Sequence, residues 1–194
     1  MRYPPEHKQA TRKRIVREAA RWFRQQGADG FSIADLMHDL KLTHGGFYRH
    51  FKDKDQLFAE SLVHSVQDAK SKLTSQEGNE RSEPSIRTII ERYLSPWHCA
   101  NPGDGCPVAV LASQMPRQSR RVRDSFDRAV HDYVEGMENV MPGKTTDERQ
   151  QNFLILISGM AGTLNLARAV PDEQTRRKLL RAARDFYIQC FSKD

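Results

Sequence analysis

Residues 30–58 read Gly-Phe-Ser-Ile-Ala-Asp-Leu-Met-His-Asp-Leu-Lys-Leu-Thr-His-Gly-Gly-Phe-Tyr-Arg-His-Phe-Lys-Asp-Lys-Asp-Gln-Leu-Phe. Ser32 followed by Asp35 is an N-cap with an acid three residues on, and it opens a short helix to about Leu40. A second short helix begins after Thr43, with Phe47, Tyr48 and Phe51 as its apolar positions. Lys41-Leu42 separates the two, and Leu36, Leu40, Leu42 and Phe47 are spaced to pack on one another. This is the outline of a helix-turn-helix. In that motif the second helix enters the DNA major groove with its N-terminal residues nearest the base edges. Gly45 and Gly46 each cost such a helix about 1 kcal/mol. Glycine there is explained if DNA backbone or bases must come close.

Outward from this stretch every periodic segment reads as helix, and no strand is convincing. Upstream, Ile15, Val16, Ala19, Ala20, Trp22 and Phe23 mark one helical face. Arg12, Lys13, Arg14, Arg17, Arg21 and Arg24 fill much of the remainder, and Gly27 and Gly30 stop the helix. Downstream, Asp53 caps a longer helix striped by Leu57, Phe58, Leu62, Val66, Ala69 and Leu73. Residues 75–84 hold no apolar side chain and read as an exposed connection. Ile86 to Trp97 forms the next amphipathic helix, which Asn101 to Gly105 ends. A short one follows from Pro107 to Gln114, bounded by Met115-Pro116. Val122, Phe126, Ala129, Val130, Tyr133, Met137 and Val140 stripe a helix that Pro142-Gly143 ends, and two long helices around Pro171 close the chain. The total is about nine helices.

Charge divides the chain unevenly. The 194 residues carry a net charge of +6. Residues 1–55 hold twelve Lys/Arg against seven Asp/Glu, and residues 56–194 hold nineteen against eighteen. A basic head on a nearly neutral body fits a polyanion-binding unit, because Lys and Arg gain free energy by releasing counterions from phosphates; a solvated helix surface reads the same from charge alone. The longest apolar runs, Val108 to Ala112 and Phe153 to Ile157, are five residues each, against about 20 for a membrane span. Met1 to Lys8 has no apolar stretch resembling a signal peptide, and three cysteines suit a reducing compartment. The expectation is a cytoplasmic protein without a membrane partner.

The segment resembles the DNA-binding domain of the TetR family of transcriptional regulators. Ser32, Ile33-Ala34, Leu42-Thr43, Gly45, Tyr48, His50-Phe51, Lys54 and Leu57 match the family pattern in register over roughly residues 10–60. Lys41 stands where the turn often has Gly, and His44 and Gly46 stand where Lys, Arg, Ser or Thr are common. The resemblance implies an all-α fold in two parts. Residues 1–55 would form a three-helix DNA-binding domain, and residues 56–194 a helical ligand-binding and dimerisation domain. Thr43 and Tyr48 would donate hydroxyls to phosphates, His50 would lie beside the backbone, and Lys54 would bring its ammonium near a phosphate. His44 and Arg49 are candidates for base-edge or flanking contacts, with Gly45 and Gly46 beside them. Ser32 serves as cap, phosphate donor or both.

In the family the last two helices of each subunit pair into a four-helix bundle. Phe153 to Ile157 is apolar on all faces, and Ser158, Gly159, Ala161 and Gly162 are small enough for a second helix to approach. A two-fold homodimer and a palindromic operator follow from the resemblance. Cys106, at the start of the helix from Pro107, resembles a cysteine that senses electrophiles or oxidants in a subset of the family. A thiol there feels the positive end of a helix dipole, which favours thiolate. The alternative is a small buried hydrophobe, and Cys99 and Cys106 could also pair on oxidation. Tyr93, Trp97, Phe126 and Tyr133 are core, effector lining or both.

His98, Cys99, Cys106 and His131 match no common zinc spacing, so neither metal nor cofactor is expected. Arg117, Arg120, Arg121, Arg123 and Arg128 form a solvated face or attract an anion. Enzymatic use of Cys106 lacks a positioned base and orienting acid. The combined reading is a dimeric regulator, a repressor released by an unidentified small molecule or by cysteine modification; an activator on the same fold is the alternative.

Overall fold

A computed structural model describes residues 5–75 and 85–192. Residues 76–84, where the exposed connection was read, lie outside the described residues. Among these residues there are ten α-helices and no strand. The first is α1 (Pro5–Gln26), whose apolar face buries Ile15, Ala19, Ala20 and Phe23. Gly27 at φ +80° turns the chain into α2 (Ile33–Asp39), which a capping box between Ser32 and Asp35 starts. Then come α3 (His44–Phe47) and α4 (Lys54–Thr74), the latter capped by Asp53 accepting from the Gln56 amide at 2.7 Å.

The turn between α2 and α3 closes by chain geometry. Leu42 N–H donates to the Met37 carbonyl at 2.8 Å and Lys41 N–H to that of His38 at 2.9 Å, the paired bonds of a Schellman motif. Such a stop needs a left-handed residue after the helix, and Lys41 takes that role at φ +56°. This is where the family commonly places glycine, so the lysine carries a backbone strain that glycine would not.

The body contains α5 (Ile86–Tyr93), α6 (Pro96–Ala100), α7 (Pro107–Leu111), α8 (Arg120–Glu135), α9 (Thr146–Ala169) and α10 (Glu173–Phe191). Short 3-10 turns at Pro102–Asp104, Ala112–Arg117 and Glu138–Val140 link them. Two helices read as continuous are broken. The helix over Ile86 to Trp97 divides because Ser95 caps a new one and Pro96, with no N–H to give, sits at its first turn. The segment through Pro142 stops as α-helix at Glu135, where Gly136 packs under the Lys70 side chain.

Two apolar clusters form, and they do not respect residue 55. The head cluster holds Ile15, Phe23, Phe31, Leu36, Phe47 and Phe51, continues through Leu57, Phe58 and Leu62 of α4, and takes in Leu111, Met115 and Val122 from the body. The body cluster centres on Ile89, Tyr93, Tyr133, Phe153, Leu156, Met160 and Leu164. Helix α4 contributes to both. No described helix is long and apolar enough to cross a membrane.

Candidate nucleic-acid interface and effector cavity

The short α3 exposes one edge and buries the other. Phe47 is 1% exposed and stacks on Phe51 with ring centroids 5.3 Å apart, which fixes the helix on the head core. Tyr48, next in sequence, is 61% exposed, with its ring edge-on to both Phe47 and His44. Thr43, His44, Gly45 and Arg49 are exposed beside it. The Thr43 side chain makes no capping hydrogen bond, so its hydroxyl is not spent on the helix end. A Cβ at Gly45 would meet nothing within 4 Å, so nothing within this chain demands glycine there. At Gly46 the same atom would stand 3.2 Å from Thr43 Oγ1.

Along this edge runs a concavity of about 650 Å³ lined by Lys8, Thr11, Lys41, Thr43, Gly46, Arg49 and His50, among others. It joins Lys41, Thr43, Gly46, Arg49 and His50, all noted from sequence, to Lys8 and Thr11, which were not. Lys8 and Thr11 lie one turn apart on α1, a spacing that marks a shared face but says nothing of what the face adjoins. The His50 carbonyl accepts from Arg12, which also pairs with Glu60 on α4. Burial first, and then Lys8, Arg12 and Arg49, lower the His50 pKa from its usual value, so the ring is neutral at pH 7. Its Nδ1 is buried without a partner.

Two expected phosphate donors are engaged within the chain. The Ser32 hydroxyl donates to Asp35 Oδ2 at 2.6 Å while accepting from the Asp35 amide at 3.1 Å. The Lys54 ammonium turns inward: Nζ donates to the Phe31 carbonyl at 2.6 Å and lies 4.5 Å from the Phe31 ring centroid. Burial lowers its pKa. In this position Lys54 closes the turn between α1 and α2 rather than reaching outward.

The body contains a cavity of about 290 Å³ between α4, α5 and the segment before α7, lined by Ala69, Leu73, Tyr93, Trp97, His98 and Cys106 among others. His98 organises it. Its Nε2 accepts the Cys106 amide at 2.9 Å, which leaves the proton on Nδ1, 2.6 Å from the Tyr93 carbonyl it donates to. Burial, the largest cause, holds the His98 pKa down at about 4, so the ring is neutral at pH 7.

The dipole argument for a Cys106 thiolate fails here. Cys106 is 2% exposed, α7 has only five residues, and burial raises the thiol pKa above its ordinary value. Nearby Tyr93 and the amides of α7 only partly offset this. Cys99 is buried outside the cavity, beside a separate depression that includes Arg168. Tyr133 is 1% exposed and edge-on to Phe153. Phe126 does not belong with this group: it packs on the head cluster. Trp97, 58% exposed, stands at the cavity mouth. His131 faces solvent near Asp127, and among the described residues no three His, Cys, Asp or Glu side chains group as metal ligands.

Polar side chains tie this cavity wall and its flanking helices to the head. Arg24 of α1, 4% exposed, donates from Nε to the Gly103 carbonyl at 2.7 Å, three residues before Cys106. Gln114 Oε1 accepts the Ala28 amide at 2.9 Å. Arg121 reaches both Asp53 carboxylate oxygens at 3.0 Å, on the residue that caps α4.

Residues 15–61 match the family described as bacterial regulatory proteins, tetR family. Over 52 residues the chain is 42% identical to the HTH-type transcriptional regulator AcrR of Shigella flexneri, covering 27% of this chain and 24% of that protein. It is 22% identical over 126 residues to the HTH-type transcriptional regulator LmrA of Bacillus subtilis, covering 64% and 67% respectively. The chain thus aligns with about a quarter of the first relative and two thirds of the second. Its fold is similar to that of a TetR-family transcriptional regulator from Cytophaga hutchinsonii, with a TM-score of 0.74, 17% identity and both chains covered in full.

Proposed function

We propose that this chain is a DNA-binding transcriptional regulator of the TetR family, a dimeric cytoplasmic repressor of a palindromic operator that is released when a small molecule enters the cavity beside Cys106. One observation carries the DNA-binding geometry: α3 keeps its aromatic side inside while exposing Thr43, His44, Gly45, Tyr48 and Arg49 together. Hydroxyls of Thr43 and Tyr48 suit phosphate oxygens, and His44 and Arg49 suit base edges or flanking backbone. The boundary near residue 55 separates a DNA-reading part from an effector part, although α4 belongs physically to both.

Dimerisation is supported by the outer face of α9 and α10. Leu154 is 42%, Ile155 62%, Leu166 55% and Phe186 59% exposed, and Gly162 beside them leaves open space. A second copy covering this face two-fold would set two α3 helices on half-sites about one DNA turn apart, roughly 34–36 Å. Arg24 to Gly103 then gives the segment before Cys106 a grip on α1, while Arg121 ties α8 to the cap of α4. A ligand that shifts the Pro102–Asp104 turn therefore rotates the head. A preference of a few kcal/mol for the released state suffices.

Reversible occupancy is favoured over direct modification of Cys106, because its thiol is buried and its pKa is raised. The interface test is operator affinity of Tyr48→Phe and Arg49→Ala against salt. Tyr48→Phe is expected to weaken binding by about 1 kcal/mol per head with unchanged salt slope, and Arg49→Ala to reduce the slope by about 0.9 for each phosphate that Arg49 neutralises. Unaltered affinity in both variants refutes the assignment.

A further inference from the structure

Helix α1 borders two depressions. Thr11 lines the concavity along α3, and Lys13 lines a separate groove. Two residues apart in a helix, they lie about 200° apart around its axis. The groove therefore opens away from the edge that α3 presents to DNA. Its walls are α1 and α8, its floor is α4, which packs against both, and its volume is about 1000 Å³.

Charge in this groove is one-sided. Arg12, Lys13, Arg14 and Arg17 of α1 and Arg128 of α8 line it, against the single carboxylate of Glu60. Arg12 already holds that carboxylate. Among the described residues no carboxylate pairs with Lys13, Arg14, Arg17 or Arg128, and all four are exposed. Arg14 gives one N–H to the Leu40 carbonyl and Arg128 gives one to Ser125 Oγ at 3.0 Å, which leaves the rest of each guanidinium open.

We propose that this groove is a binding site for a small anion bearing several phosphate groups, which Lys13 and Arg17 hold from the α1 side and Arg128 from the α8 side. One exposed ion pair contributes little, so a singly charged anion gains no hold here, whereas a ligand with several charges engages several cations at once. Guanidinium forks match phosphate oxygens two at a time. Among the described residues that line the groove there is no Phe, Tyr or Trp, so nothing stacks a nucleobase and the phosphates themselves carry recognition. On the floor, Ala59 and Val63 add a short apolar strip. Burial lowers the pKa of His64 beside them, only partly offset by Asp68, so that ring is neutral at pH 7 and can donate one N–H. An occupant held by both walls fastens α1 of the head to α8 of the body. No lining residue is shared with the cavity beside Cys106, so this site stands or falls independently of the effector reading.

The test is calorimetric titration of the full-length protein with tripolyphosphate at about 0.15 M ionic strength, with sulfate at matched ionic strength as the comparison and thermal melting alongside. Tripolyphosphate is expected to bind with a Kd below about 100 μM and, at about a hundredfold excess over Kd, to raise Tm by about 5–10 °C. Arg17→Gln and Arg128→Gln should each weaken it at least about fivefold, while the ligand-free variants melt within about 2 °C of the wild type, as exposed substitutions do. Arg49→Ala, on the DNA edge, should leave tripolyphosphate affinity unchanged. Failure to bind, binding that sulfate equals, or affinity unaltered in both groove variants overturns the proposal. Affinity lost in Arg49→Ala but kept in the groove variants also overturns it, because the anion then imitates a DNA phosphate against α3.

Discussion

Replacing Gly45 by alanine is expected to strengthen the free protein and weaken its hold on DNA together. Gly45 lies inside α3, its φ is not in the left-handed region, and an added Cβ meets nothing within 4 Å. The methyl group therefore encounters no clash and recovers up to about 0.5–1 kcal/mol that glycine costs a helix. For a chain of this length that is a rise in Tm of about 1–3 °C. On DNA the same open position is where the groove wall must stand if α3 reads it. A methyl forced into a close-packed contact costs about 1–3 kcal/mol per head, or roughly 5- to 150-fold in affinity. Gly46→Ala is the comparison, since its Cβ would press on Thr43 Oγ1 at 3.2 Å and disturb a proposed phosphate donor.

The assay is fluorescence anisotropy with operator fragments selected from random DNA by the wild-type protein, alongside calorimetric melting. A Gly45→Ala protein that melts higher and binds as the wild type refutes the placement of this face against DNA. One that melts lower refutes the claim that the position is open.

Lys41→Gly relieves the strain at φ +56° and should raise stability by up to about 1 kcal/mol in denaturant melts, part of the gain being offset by glycine's freer unfolded chain. Lys54→Met loses the bond to the Phe31 carbonyl and should cost about 1–2 kcal/mol, with the salt slope of operator binding unchanged; a shallower slope instead would return Lys54 to a phosphate. His98, at about 4 when folded against 6.5 ordinarily, stabilises the fold fully above about pH 6.5. That contribution, about 3 kcal/mol, is lost as pH falls toward 4, so the urea midpoint should fall with acid in the wild type and fall less in His98→Gln. Ile155→Lys places a charge in the exposed apolar face of α9 and should yield monomers in sedimentation, with operator affinity falling at least about a hundredfold as bivalency is lost.

The helix-turn-helix was legible because its signals are local. A capping box at Ser32 and Asp35, a cap at Asp53 and aromatic spacing at Phe47 and Phe51 depend on neighbours three or four residues away. The breaks at Ser95-Pro96 and Gly136 were less visible, because an apolar stripe can run across a bend when both halves face one core. Lys54 was read outward from its place at a helix start; only the fold shows the Phe31 carbonyl waiting inside. Phe126 shared a stripe with Tyr133, yet the two side chains serve different clusters because α8 spans both.

By itself the sequence determined an all-helical chain, a basic head with a DNA-reading motif, and an apolar segment over Phe153 to Ile157 too greasy for one partner. The tertiary structure decided which charges are spent and which are free. Ser32 and Lys54 are occupied by partners within the chain, while Cys106 is a neutral buried thiol rather than a dipole-activated one. It also brought Arg168 of α9 to the carbonyls of His98 and Cys99, far away along the chain. Periodicity and caps are short-range and written in order along the chain. Hydrogen-bond satisfaction and desolvation depend on groups that meet only after folding.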